Sequence, residues 1–269
     1  MSPLRPQGLL RGNLRRRYAV KKLKKPLLFT LALLPFALVG GYFTALYQAD
    51  VLAPELMEQA LAQIGSMELL AVITAVQTVG YAVFCGFLGY LLADKVGLMR
   101  PVRFEKPALI KTLLICAVCG VVFSLDYWTF GKWYPEIGVA TAAGVSFNAL
   151  IASIFYGGVI EEVMLRLFVM SLIAWLVWKM FFHRSETAPQ AAIVIANVIA
   201  AILFAAGHLP ATVTMFGSIT FPILLRCFLF NGGFGLLFGW LYSKYGIHYA
   251  MLGHALLHII SKTIWFFFL

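Results

Sequence analysis

Six residues of this 269-residue chain could do chemistry together: Glu161, Glu162 and Arg166 in one apolar stretch, then His208, His254 and His258 in two others. A charged side chain near the centre of a bilayer costs roughly 2.5 to 3.5 kcal/mol even on the lenient insertion scale, so such groups pair or work. Helical spacing divides the cluster. Glu162 and Arg166 are four apart and share a face, so each neutralises the other, whereas Glu161 sits about 100° around the axis beside Gly157 and Gly158. A carboxylate with no partner in its own helix suits proton abstraction from water and proton delivery to a leaving amine. Glu161 is therefore the expected general base.

The histidines supply the second polar group that such a base needs. His208 closes an apolar segment in Phe204-Ala-Ala-Gly-His208-Leu-Pro210, where a lone histidine also reads as a helix cap. His254 and His258 are four apart and project from one face of the last segment. That spacing suits metal ligands, although the pair lacks the glutamate of a zincin motif. His183 and His248 stand at segment ends and read as interfacial.

The composition says what must position these groups. Hydrophobic residues make up 62% of the chain, charged residues 12%, and the mean hydropathy is +0.89, which indicates an all-α polytopic membrane protein. Apolar runs predict about eight spans, near 26–47, 67–92, 107–127, 138–183, 191–208, 211–230, 231–245 and 248–268, in one bundle. The fourth, at 46 residues, is twice a normal span and is read as one long kinked helix rather than two crossings. Residues 1–25 carry Arg5, Arg11, Arg15, Arg16, Arg17, Lys21, Lys22, Lys24 and Lys25 without an acid, which places this basic segment in the cytoplasm. Residues 26–269 form a single membrane-embedded domain, the first span is uncleaved, and both termini are expected to be cytoplasmic, in the plasma membrane if the source is bacterial. The loop 48–66 holds Asp50, Glu55 and Glu58 and no Lys or Arg, as an outside loop should. The loop 94–106 holds Lys95, Arg100, Arg103 and Lys106. With this arrangement the net charge of +10 concerns topology and anionic headgroups, and no nucleic-acid partner is expected. Cys116-Ala-Val-Cys119 and Gly235-Leu-Leu-Phe-Gly239 read as packing features, the second a small-xxx-small face.

Taken in order, Glu161-Glu162-x-x-x-Arg166, Phe204-x-x-x-His208 and His254-x-x-x-His258 resemble the CAAX protease and bacteriocin-processing family of intramembrane proteases, over roughly the second half of the chain. The resemblance implies hydrolysis of a peptide bond in a membrane-associated substrate, prenylated or bacteriocin-like, within the lipid bilayer. Carried over, Glu161 and His208 activate the attacking water, His254 and His258 stabilise the oxyanion, and Glu162 and Arg166 brace the site. The family often has Asn where this chain has His258. A second imidazole makes Glu161, His208, His254 and His258 a candidate zinc set, but no obligatory metal and no other cofactor is expected. Two further readings compete: a proton-coupled transporter, against which stands the lack of repeat symmetry, and a non-catalytic immunity or scaffold protein of the same fold.

Overall fold

The computed structural model describes residues 7–269, with side chains from Leu23 onward. The first six residues of the basic N-terminal segment therefore lie outside the described residues. Helices follow one another as α1 (Gln7–Val51), α2 (Pro54–Ile64), α3 (Met67–Lys95), α4 (Lys106–Ser124), α5 (Pro135–Gly144), α6 (Phe147–Ala152), α7 (Ser171–Phe181), α8 (Gln190–Gly207), α9 (Leu209–Phe216), α10 (Phe221–Cys227), α11 (Gly233–Tyr245) and α12 (Ile247–Phe268). No strand occurs among the described residues. Between α6 and α7 the chain stays helical through two π-helical runs, Ser153–Glu161 and Val163–Met170, so 147–181 is one continuous rod.

Among the described residues, six helices are long and apolar enough to cross a membrane: Leu23–Val51, Met67–Lys95, Lys106–Ser124, Gln190–Phe216, Phe221–Tyr245 and Ile247–Phe268. The rod 147–181 is a further long helix and carries the charged cluster. The count is thus smaller than the eight expected from hydropathy, and two boundaries explain the difference. Pro210 does not end a span, because it stands in the first turn of α9, where its missing N–H costs nothing, and the helix runs on to Phe216. The chain turns instead at Gly217, whose φ of 69° is left-handed. Phe221–Tyr245 is then a single span that passes through Asn231 by a π-helical turn at Phe228–Gly232. The stretch 138–183 is also corrected at its start: it breaks after Gly144, and Ser146 caps the rod by accepting from Ala149 N at 3.1 Å.

Contacts fix the direction of each helix. At one end of the bundle Ser146 donates to Asp50 (3.3 Å), Trp265 Nε1 donates to Ser124 O (3.0 Å), and Arg226 pairs with Asp126. At the other, Lys95 lies over Trp175, Arg100 donates to Ser243 O (3.3 Å), and Glu105 N donates to the Tyr249 hydroxyl (2.7 Å). The rod therefore crosses the bundle once. α4 and α12 run parallel, since Glu105 meets Tyr249 at their starts and Ser124 meets Trp265 at their ends. Pro26 and Phe268 consequently lie at opposite ends of the bundle, against the expectation that both chain ends share one side. One end gathers Lys95, Arg100, Arg103, Lys106, Lys179, Arg184 and Lys244, and is called the basic end below.

Glycine and alanine set the close packing around the rod. A Cβ at Gly40 would stand 2.8 Å from the backbone N of Tyr156, and one at Gly89 would stand 3.0 Å from the Leu167 backbone, so α1 and α3 press directly on the π-helical runs. Their outer faces remain apolar and exposed, as lipid-facing surfaces should be: Leu31, Val72, Val76 and Phe84 are examples.

Candidate active site

The π-helical runs are where the rod places its charges. Bonding from i to i+5 widens each turn, a form that appears mostly as short bulges and often at functional sites. A four-residue spacing still closes the pair: Arg166 Nη1 lies 3.1 Å from Glu162 Oε1, with both side chains buried. The approach has the distance of an ion pair without the alignment of a hydrogen bond, and Arg166 Nη2 donates instead to Gly235 O at 3.2 Å. The Arg166 guanidinium also faces the ring of Phe204, 4.5 Å from its centroid, and that of Phe238 at 5.6 Å.

Glu162 is more than a counterion. Its Oε1 also accepts from His254 Nδ1 at 2.8 Å, so one carboxylate oxygen meets a partner from its own helix and one from α12, while Oε2 has no hydrogen-bond partner among the described residues. His254 is 5% exposed and stacks on Phe238 with ring centroids 4.5 Å apart. Clamped at Nδ1 and on one face, the imidazole has a fixed orientation. Its Nε2 lies 3.2 Å from His258 Nε2. A Cβ at Gly157 would stand 3.6 Å from His258 Nε2 and 3.7 Å from His254 Nε2, so Gly157 borders both nitrogens. Gly158 serves packing instead, against Ala255.

His208 stands at the junction of α8 and α9, its ring edge-on to Phe204 at 4.7 Å. Its Nδ1 is 2.8 Å from Phe204 O. A carbonyl can only accept, which assigns the proton to Nδ1 and leaves Nε2 with a lone pair. Glu161 makes no hydrogen bond or ion pair with another side chain among the described residues, and it is half-buried near Tyr156. The structure thus joins Glu162, Arg166, His254 and His258 by direct contacts, flanks them with His208 through Phe204, and leaves Glu161 unpaired.

Residues 143–260 match the Rce1-like family of type II CAAX prenyl endopeptidases. This is the family that the motifs resemble, and the matched segment contains every residue of the cluster. No curated protein and no solved structure matches the chain.

Several contributors carried no chemical signal in the sequence. Phe204 and Phe238 look like ordinary apolar residues, yet both rings face Arg166 and Phe238 stacks on His254. Gly235, read as a packing glycine, gives its carbonyl to Arg166, and Gly239 leaves room for Asn197, which donates to Leu236 O at 3.0 Å. The packing reading of Cys116 agrees with its place against Gly253, and the four cysteines are free. His248 is buried and bonds to Arg103 O at 3.0 Å, while His183 is exposed.

A zinc ion asks for three or four converging donors. The separation of the two Nε2 atoms would suit two ligands of one ion, but no group of three His, Cys, Asp or Glu side chains gathers among the described residues.

Proposed function

We propose that this protein is an intramembrane endopeptidase that cleaves a membrane-associated peptide with a water activated by Glu161 and His208. The observation that carries the reading is the chain Glu162–His254–His258, fixed inside the bundle and bordered by Gly157. A buried carboxylate that orients an imidazole is a recurring device of hydrolytic sites. Partner types suggest the proton positions. The carboxylate accepts at Oε1, so His254 carries its proton on Nδ1 and presents a lone pair at Nε2. The hydrogen between the two rings then belongs to His258 Nε2. A carbonyl oxygen gaining negative charge beside Gly157 competes with His254 for that hydrogen, which makes His258 the oxyanion donor and His254 the group that aims it. Asn at the same position would donate at any protonation state, whereas His258 donates only in the tautomer that His254 enforces.

Water activation falls to Glu161, the unpaired carboxylate, with the Nε2 lone pair of His208 as the second acceptor. The proton taken from water passes to the amine as the peptide bond breaks. The substrate reaches a site about 10 Å inside the basic end, judged from the seven helical steps of α12 from Ile247 to His254 at about 1.5 Å each. A lipidated or otherwise membrane-held peptide meets that depth without a soluble path. Replacement of Glu161 by Gln should abolish cleavage of a prenylated C-terminal peptide while leaving the elution profile and thermal unfolding of the purified protein unchanged. Retained cleavage would remove Glu161 from the mechanism.

The basic end faces the cytoplasm in this reading, because Lys and Arg concentrate there. The C-terminus then emerges on the other side. Alkaline phosphatase fused after Leu269 should be active, and a fluorescent C-terminal GFP fusion would reverse the assignment.

A further inference from the structure

α12 carries a third polar residue on the stripe that begins with the two site histidines. His254, His258 and Lys262 are spaced four apart, one turn after another. Lys262 is 8% exposed, and its Nζ donates to Gly144 O at 2.7 Å. The ring of Tyr47 lies 5.6 Å from the ammonium. No carboxylate is within ion-pair distance of Lys262 among the described residues.

That makes it an exception within this molecule. Among the described residues, the other two buried or half-buried Lys and Arg side chains each have an acid: Arg166 has Glu162, and Arg226 has Asp126. Near Lys262 the acid closest along α1 is Asp50, which is exposed and bonded to Ser146. A buried lysine is ordinarily paired. An ammonium has three hydrogens to donate, and Gly144 O takes one. Gly144 also lacks a Cβ, which would stand 3.5 Å from Nζ. The group is thus a buried cation with donors to spare, on the helix stripe that carries the site.

We infer that Lys262 binds the free C-terminal carboxylate of the peptide held in the site, an inference that rests on the proteolytic reading. Lys262 stands eight helical steps beyond His254, a rise of about 12 Å. An extended peptide covers that length in about three or four residues. A substrate entering from the basic end with its C-terminus foremost would set its scissile bond at the histidines as its carboxylate meets the ammonium. Lys262 is then the positioning residue that selects a free chain end and sets the distance of the cut from it. A lipid headgroup is the poorer candidate for this cation, because Lys262 is buried among α5, α12 and Tyr47 and away from the lipid-facing surface.

The test is binding to the purified full chain in detergent, with Ala-Ala-Leu as the free acid, its C-terminal amide, and acetate as probes. The acid should bind the wild type at least about tenfold more tightly than the amide, the factor expected of one charge-assisted hydrogen bond. Acetate at equal concentration should not compete. Lys262→Met should bind acid and amide equally, and Lys262→Arg should keep the preference. Equal affinity of acid and amide for the wild type, binding of neither, or full competition by acetate would each overturn the inference. Should Lys262→Met fail to fold, the acid and amide comparison on the wild type decides alone. Binding needs no turnover, so a wild-type protein that cleaves no membrane-held peptide would sink the proteolytic reading without moving this result.

Discussion

The α1–α3 pair and the assembly of the rod with α8, α11 and α12 are both helical and apolar, yet they hold together in different ways. In the first, Thr30, Thr44, Thr74 and Thr78 each return their hydroxyl to the carbonyl four residues back in the same helix. The seam itself is closed by small residues, with Ala37, Ala45, Ala71 and Ala82 fully buried. In the second, polar groups reach between elements: Glu162 to His254, Arg166 to Gly235, Ser171 to Tyr242 at 2.8 Å, and Asn197 to Leu236. Lipid gives no hydrophobic drive for helices to associate, so close backbone packing suffices where only support is needed. Buried polar contacts add orientation, and they appear where side chains must be aimed. The family match, confined to 143–260, falls on the second region.

Breaking the polar network should have the largest effect on folding. Glu162→Gln leaves Arg166 buried without its counterion and weakens the hold on His254, and removing one partner of a buried pair costs about 3–5 kcal/mol. Thermal unfolding in detergent should show that loss. The double replacement Glu162→Leu, Arg166→Met should recover most of the stability, because apolar residues of similar volume tolerate the same burial, but it should not recover cleavage. A single variant as stable as the wild type would mean that the two regions do not differ in the way described.

Much of the second region was legible in the sequence, since charge in an apolar run demands a partner and Glu162 with Arg166 four residues on supplies one. The spacing of His254 and His258 likewise foretold adjacent rings. Three things were hidden, each for a physical reason. The π-helical widening of the rod, against which α1 and α3 press closely, has no signature in hydropathy. That Glu162 would also hold His254 follows from tertiary contact and not from helical phase, which pointed only to Arg166. The span count failed because Pro210 and Asn231 resemble breaks in a linear reading, whereas a first-turn proline and a π-turn both let a helix pass. Lys262 escaped notice because a single lysine near the end of a last span reads as a snorkelling residue.

The apolar seam offers a smaller and more selective break. A Cβ at Gly41 would stand 2.8 Å from the Ala75 Cα and from Thr74 O, atoms of backbone that cannot step aside. Gly41→Leu should therefore cost about 1–3 kcal/mol by overpacking. Gly41 lies on the α3 side of α1, away from the histidines, so cleavage per folded molecule should stay within twofold of wild type. A fall in cleavage larger than the fall in folded fraction would show that the seam positions the site as well as supporting it.

The smallest expected effect comes from one device used in both regions. Ser66 caps α3 by accepting from Leu69 N at 3.2 Å, and Ser146 caps the rod by accepting from Ala149 N at 3.1 Å. Replacing either by Ala should cost about 1 kcal/mol, the usual worth of such a cap. The two serines differ in what they join. Ser66 acts within its own helix, whereas Ser146 also donates to Asp50 at 3.3 Å and so ties the end of α1 to the start of the rod that carries both glutamates. Ser66→Ala should leave cleavage unchanged, and Ser146→Ala should lower it a few-fold at an equal loss of stability. Parallel unfolding and cleavage measurements on the two variants separate these outcomes. Identical cleavage would place the boundary between supporting and aiming elements further down the rod, below the first turn and nearer to the π-helical run that begins at Ser153.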